Sequence, residues 1–216
     1  MKKTILLLTL SFVLTSCVST IPLSANLDNQ TLLLTENKDL KVEYNLRSQV
    51  KDGNIEYVSF KKNGKEISDG GIDVMYQSET AFKSIFKDYL NSKFNKYSEN
   101  KILVDINLTN LRIEQRFLTS TFNMMGGDSK TNKKAICELT ATIKYNGKVY
   151  KKDFKVTNTS YNETNSTVES DYFGRRTRSR ESLSNPSLQK SKMLENAFNQ
   201  AVIRFDNYIT MIINKQ

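Results

Sequence analysis

Strict alternation of apolar and polar residues on both sides of a tight turn constrains this chain more than any other feature. Cys137, Leu139, Ala141, Ile143 and Tyr145 occupy every second position. Asn146-Gly147 follows, and Tyr150, Phe154 and Val156 line one face of the returning segment. A period of two places such side chains on one face of a strand. Asn-Gly supplies the two positive-φ positions of a type I′ hairpin turn. Upstream, Ile102, Val104, Ile106 and Leu108 alternate in the same way, but Leu111 and Ile113 continue on the opposite parity. One extra residue flips the facing of everything after it, so residues 101–117 are expected to form one long strand bent by a bulge at Asn110. Cys137 falls on the inward parity and reads as a buried small hydrophobe rather than a nucleophile.

The flanking segments complete an α+β pattern. Leu40, Val42, Tyr44 and Leu46 alternate with charged and polar residues, Asp52-Gly53 signals a turn, and residues 54–61 are β-prone. Asn63-Gly64 predicts a second type I′ hairpin, returning through Lys65-Glu66-Ile67. Ser78 is the expected cap of a helix over 79–97, whose apolar face is Phe82, Ile85, Phe86, Tyr89, Leu90 and Phe94. Lys83, Lys87, Lys93 and Lys96 are expected on its solvated face. Asn185-Pro186 opens a terminal helix with Leu194, Ala197, Phe198, Ala201, Val202, Phe205, Ile209 and Ile212 as its stripe. The expected fold is α+β: an antiparallel sheet with two long amphipathic helices packed on one face.

Two connections stand out. The segment 118–133 carries Phe122, Met124 and Met125 beside Gly126-Gly127, an apolar tip that is unusual for a loop. It reads either as folding back on the sheet edge or as a contact surface for lipid or a partner. Residues 158–185 are rich in Asn, Ser and Thr, with Arg175, Arg176, Arg178 and Arg180 crowded near the middle. Such a tract buries too little apolar surface to offset its ordering entropy, so a mobile polar insertion is expected. Four guanidinium groups there are candidates for gripping phosphate or carboxylate, bidentately. The bland alternative is a solvated loop.

At the start, Met1-Lys2-Lys3 precedes an apolar run from Ile5 to Leu14, which ends in Leu14-Thr15-Ser16-Cys17. This is signal-peptide grammar, and the run is too short to remain as a spanning helix. The Leu-Thr-Ser-Cys box resembles the cleavage and lipid-attachment site of bacterial lipoproteins. It implies removal of residues 1–16, acylation of Cys17, a lipidated tether over 17–37 and a single domain over 38–216. With Val18 rather than Asp after the cysteine, the resemblance implies outer-membrane sorting, anchored by acyl chains and most readily facing the periplasm.

Composition excludes several chemistries. The chain has no histidine, so Ser-His-Asp and Cys-His mechanisms and His-based zinc sites cannot be built. It has two cysteines, and acylation of Cys17 leaves Cys137 without a partner for a disulfide. The formal charge of +9 includes Lys2 and Lys3, so the processed chain carries +7 (9 − 2). That balance favours anionic partners, though it also fits an ordinary lysine-rich surface. Nucleic acid is disfavoured by the expected compartment. Asp69, Asp73 and Glu79 are close in sequence, but their spacing fits no acid–base mechanism. No cofactor is expected, and the chain reads as a non-enzyme.

Residues 82–209 resemble a family of small outer-membrane lipoproteins typified by YajG. The resemblance lies in the helix Phe82-Lys-Ser-Ile-Phe-Lys-Asp-Tyr-Leu, the strand Ile102-Leu-Val-Asp-Ile-Asn-Leu-Thr-Asn-Leu, the hairpin across Asn146-Gly147, and the helix Leu194-Glu-Asn-Ala-Phe-Asn-Gln-Ala. The β-rich segment before Ser78 is longer than the family's, and the arginine tract looks inserted. The resemblance implies fold and location, and brings no catalytic motif. The expected function is that of a non-catalytic accessory or scaffold for a membrane complex, with an envelope protein as partner, or for envelope integrity. The alternative is a module that binds lipopolysaccharide or peptidoglycan through the arginine tract.

Overall fold

A computed structural model describes residues 21–23, 39–61, 63–67, 75–95, 97–117, 131–162, 168–170, 176–178 and 186–215. The N-terminal half supplies β1 (Lys41–Ser48), β2 (Gly53–Asn54), β3 (Glu56–Phe60), β4 (Glu66–Ile67), β5 (Met75–Tyr76) and α1 (Ser78–Lys93). The C-terminal half supplies β6 (Lys101–Phe117), β7 (Thr131–Tyr145), β8 (Lys148–Asn162), β9 (Val168–Ser170), β10 (Arg176–Arg178) and α2 (Pro186–Asn214).

The three long strands form the expected antiparallel meander β6-β7-β8. Asn146 and Gly147 both adopt positive φ, as a type I′ turn requires. The register shifts between Leu108 and Asn110. Thr109 is the extra residue there, and its hydroxyl donates to the Glu138 carbonyl at 3.0 Å. The bulge keeps Leu108 and Leu111 on the same buried face despite their opposite parity.

The sheet is mixed, which corrects the antiparallel expectation. β1 and β3 both lie parallel to β6, on the edge opposite β7. β1 pairs from Lys41↔Lys101 to Ser48↔Leu108, and β3 from Glu56↔Arg112 to Phe60↔Arg116. They follow one another along β6, separated by an excursion that starts level with the bulge. Alternation fixes which face a residue takes but not the direction of its strand, and here α1 lies between β3 and β6 in the chain. A connection of that length permits parallel pairing, where a tight turn would not.

The second hairpin also differs from its expected geometry. Gly64 has positive φ but Asn63 does not. Gly64 N–H donates to Lys61 and Lys61 N–H to Lys65, which closes a five-residue loop between β3 and β4. Asn63 serves it by accepting from Lys65 N–H at 3.1 Å.

One core joins sheet and helices. From β6 it takes Ile102, Val104, Ile106, Leu108, Leu111 and Ile113, and from β7 Ala135, Cys137, Leu139, Ala141 and Ile143. α2 packs on β7 and β8, while α1 packs on β1 and against α2. Phe82 meets Phe198 at 6.4 Å between ring centroids, and Phe86 and Tyr89 meet Phe205 edge-on at 5.9 and 6.0 Å. Later residues of α1 meet later residues of α2, so the helices run in the same direction. They are unequal, with 16 and 29 residues. α1 ends at Lys93, short of its expected end, where Phe94 turns extended.

Candidate functional site

Most charges on the exposed face of the sheet satisfy each other. Arg47 grips Asp105 bidentately at 2.9 and 3.2 Å, Lys101 meets Glu43 at 2.9 Å, and Lys155 meets Glu138 at 2.7 Å. Glu114 is shared by Arg112 at 2.9 Å and Lys134 at 2.7 Å. The Lys101 and Lys155 contacts hold Glu43 and Glu138 below the ordinary carboxylate range. At Glu114 burial pushes the other way, and Lys134 with Arg112 outweigh it. A shallow depression lined by Glu43, Asn45, Leu103, Asp105, Thr142 and Lys144 opens on this face. Its two carboxylates are already paired, which leaves it little to recognise a ligand with.

The buried polar groups between the helices are also matched. Asp206 on α2 accepts from the Tyr89 hydroxyl at 2.6 Å and from the Lys93 ammonium. Lys93 also donates to Thr210 Oγ1 at 2.8 Å. Both charged residues are 5% exposed. Lys93 was expected in solvent; it sits instead where the apolar stripe of α1 reaches its last turn. Burial, then the charge of Asp206, pushes the Tyr89 phenol well above its ordinary value. The network closes on itself and reads as a clamp between helices.

A third group of polar residues is not matched by acids. Lys133 lies two residues before Ala135 on the inward parity of β7, opposite Gln115 of β6. The Tyr57 hydroxyl donates to Gln115 Oε1, and the Lys190 ammonium stands 4.4 Å from the centroid of the Tyr57 ring. Burial lowers the pKa of both lysines, and the charge of Lys133 lowers that of Lys190 further. Among the described residues neither ammonium has a carboxylate within ion-pair distance. α2 carries no acidic residue in its first turn, so its positive N-terminal dipole is uncompensated there.

The sequence contained a signal for this cluster. Carrying the alternation of Cys137 back through Ala135 places Lys133 on the inner face. Lys190 and Tyr57 had no such signal, because only tertiary packing brings α2 to β3.

Among the residues singled out by sequence, Cys17, Phe122, Met124, Met125, Arg175 and Arg180 lie outside the described residues. Arg176 and Arg178 are the two ends of β10, which pairs antiparallel with β9. Residues 158–162, the start of the polar tract expected to be mobile, belong to β8, which pairs with β7 as far as Asn162. Asp69 and Asp73 also lie outside the described residues, and Glu79 is engaged by Lys83 at 2.7 Å and Lys51 at 3.2 Å. Cys137 is fully buried, and burial pushes its thiol up to about 12. Among the described residues no three acidic or cysteine side chains converge as metal ligands, and no helix is long and apolar enough to cross a membrane.

Three residues of the stretch read as a tether are described, and they are held on the domain. Ile21 N–H donates to the Met75 carbonyl at 2.6 Å, and Gln77 N–H donates to the Ile21 carbonyl at 3.1 Å. Ile21 thereby bridges Tyr76 in parallel, and Leu23 enters the core at 7% exposure. Tyr76 is buried, its phenol is raised to about 12 by burial, and it hydrogen-bonds Ser191, the neighbour of Lys190.

No family model and no curated relative matches the chain. Among solved structures, protein XCC0632 from Xanthomonas campestris, a DUF330 protein, is similar with a TM-score of 0.45 and 11% identity, over 87% of this chain and 92% of its own. An uncharacterized protein is similar with a TM-score of 0.40 and 10% identity, over 82% of this chain and 95% of its own.

Proposed function

We propose that this chain is a non-catalytic, lipid-anchored lipoprotein of the bacterial outer membrane. In this reading it faces the periplasm and serves as an accessory or scaffold for an envelope protein complex. The observation that carries the reading is the Leu14-Thr15-Ser16-Cys17 box behind a short basic and apolar leader. Acyl chains on Cys17 bury enough methylenes, at about 0.8 kcal/mol each, to make such an anchor durable. The self-paired sheet face and the closed helix clamp support a structural role rather than a catalytic one. In this reading α1 and α2 form a layer over one face of the sheet and leave the other for a partner.

Mass spectrometry of the mature N-terminus tests the anchor, with a diacylglyceryl-modified Cys17 as the expected first residue. Crosslinking in intact cells tests the role, and a reproducible envelope protein partner is the expected result. A second reading is recognition of lipopolysaccharide or peptidoglycan by Arg175, Arg176, Arg178 and Arg180. It is favoured by four arginines within six residues. Replacing all four with Ser should then weaken co-sedimentation with lipopolysaccharide or wall preparations, most clearly at low salt.

A further inference from the structure

The path of the chain through Ile21 limits how far the domain stands from its anchor. Three residues separate Cys17 from Ile21, which makes four steps along the chain. These steps reach at most about 14 Å at ~3.6 Å each. Ile21 is hydrogen-bonded to the domain and Leu23 is packed in its core, so the stretch 24–37 adds nothing to this reach. Contacts lead from Ile21 to the basic cluster. Ile21 bridges Tyr76, Tyr76 bonds Ser191, Ser191 follows Lys190, and Lys190 stands over Tyr57 beside Gln115 and Lys133.

We propose that this side of the domain, with Lys133 and Lys190 at its centre, docks on the phosphate groups of anionic phospholipids in the membrane that holds Cys17. The inference rests on acylation of Cys17. Two observations select this occupant. The link is short enough to hold the first turns of α2 close to the bilayer. The two half-buried ammonium groups also lack a carboxylate among the described residues, so a lipid phosphate supplies the missing charge. The N-terminus of α2 adds to this, since Lys190 follows its first turn and that turn carries no acidic residue, whereas the N-terminus of α1 is already met by Asp52 and Glu79. The exposed sheet face offers no comparable attraction, because its ion pairs are already made.

The test uses the acylated full-length mature protein in vesicles of phosphatidylcholine, or of phosphatidylcholine and phosphatidylglycerol in equal parts. A fluorophore is placed by Lys61→Cys, at the β3–β4 loop, or by Lys148→Cys, at the far β7–β8 turn. Buried Cys137 does not compete for label. Headgroup spin-labelled lipid is the quencher. The expected result is quenching at position 61 at least about twofold stronger than at position 148 on the anionic vesicles, falling with added salt. Lys133→Ser with Lys190→Ser should reduce it to the level seen on phosphatidylcholine alone. Equal quenching at both positions overturns the docking inference, as does quenching at 61 that ignores phosphatidylglycerol. The comparison of label positions in otherwise unchanged protein stands even where the double variant folds poorly. Mass spectrometry of the same sample separates the two claims. An unmodified Cys17 overturns the lipoprotein reading and the docking with it, whereas an acylated Cys17 with equal quenching overturns the docking alone.

Discussion

At Asp206 two donors from α1 meet one acceptor on α2, and both charges are out of water. Removing one member of such a pair strands the other. Asp206→Ala is expected to cost about 3–5 kcal/mol, read as a lower urea midpoint. The double change Lys93→Met with Asp206→Leu is expected to restore most of that loss, because a packed apolar pair has no desolvation penalty to offset. Cys137 makes a second prediction at this scale. A thiol raised to about 12 and enclosed by core side chains should not react with a disulfide reagent at pH 8 until the protein unfolds. Adding denaturant during the assay checks this. The burial of Cys137 was legible from its parity. That of Lys93 was legible only in part, since a lysine at the edge of an apolar stripe normally snorkels to water. Its acceptor, Asp206, is 113 residues away in sequence.

At the level of elements, α1 shows how a helix can be finished by another part of the chain. Its N-cap, Gln77, makes no side-chain cap bond. Ser78, the residue that local sequence nominates, is buried with its hydroxyl unpartnered. Asp52 caps the helix instead, accepting from Thr80 N–H at 3.1 Å and from the Thr80 hydroxyl. Asp52→Ala should therefore cost about 1 kcal/mol, and the Thr80 amide should exchange faster with solvent. Ser78→Ala should be tolerated or slightly stabilising, since it removes a buried hydroxyl without a partner. Helices, strands, the bulge and the Asn146-Gly147 turn were readable because each is set by neighbours in sequence. The cap, the parallel strands and the fastening of Ile21 were not, because each depends on which distant segment arrives beside it.

For the molecule as a whole, the paired carboxylates give stability a direction with pH. Glu43, Glu79, Glu114 and Glu138 all titrate below the ordinary value of 4.5 when folded. Their contribution is fully present above that value and is lost as pH falls through the lowered folded values. Glu43 is exposed and the other three are only partly buried, so the effect should be small and should shrink at high salt. Melting curves between pH 7 and pH 3, at low and high ionic strength, check both the sign and the salt dependence. The candidate basic cluster belongs to this scale too. It draws on β3, β6, β7 and α2, so its assembly is a property of the fold and of no single motif.

The mixed sheet also dictates an order of events during synthesis. β6 is the strand through which β1 and β3 connect to β7 and β8. β1 must wait 60 residues for its partner, from Lys41 to Lys101, and β3 must wait 56, from Glu56 to Arg112. A chain that emerges N-terminus first thus carries two β-prone segments with open edges until β6 arrives. Chains truncated before residue 100 should show no cooperative melt, and folding of the whole domain should be slow for its size. Such a polypeptide needs a holdase until β6 is made more than a helical protein of equal length does, and the waiting strands are where one would bind.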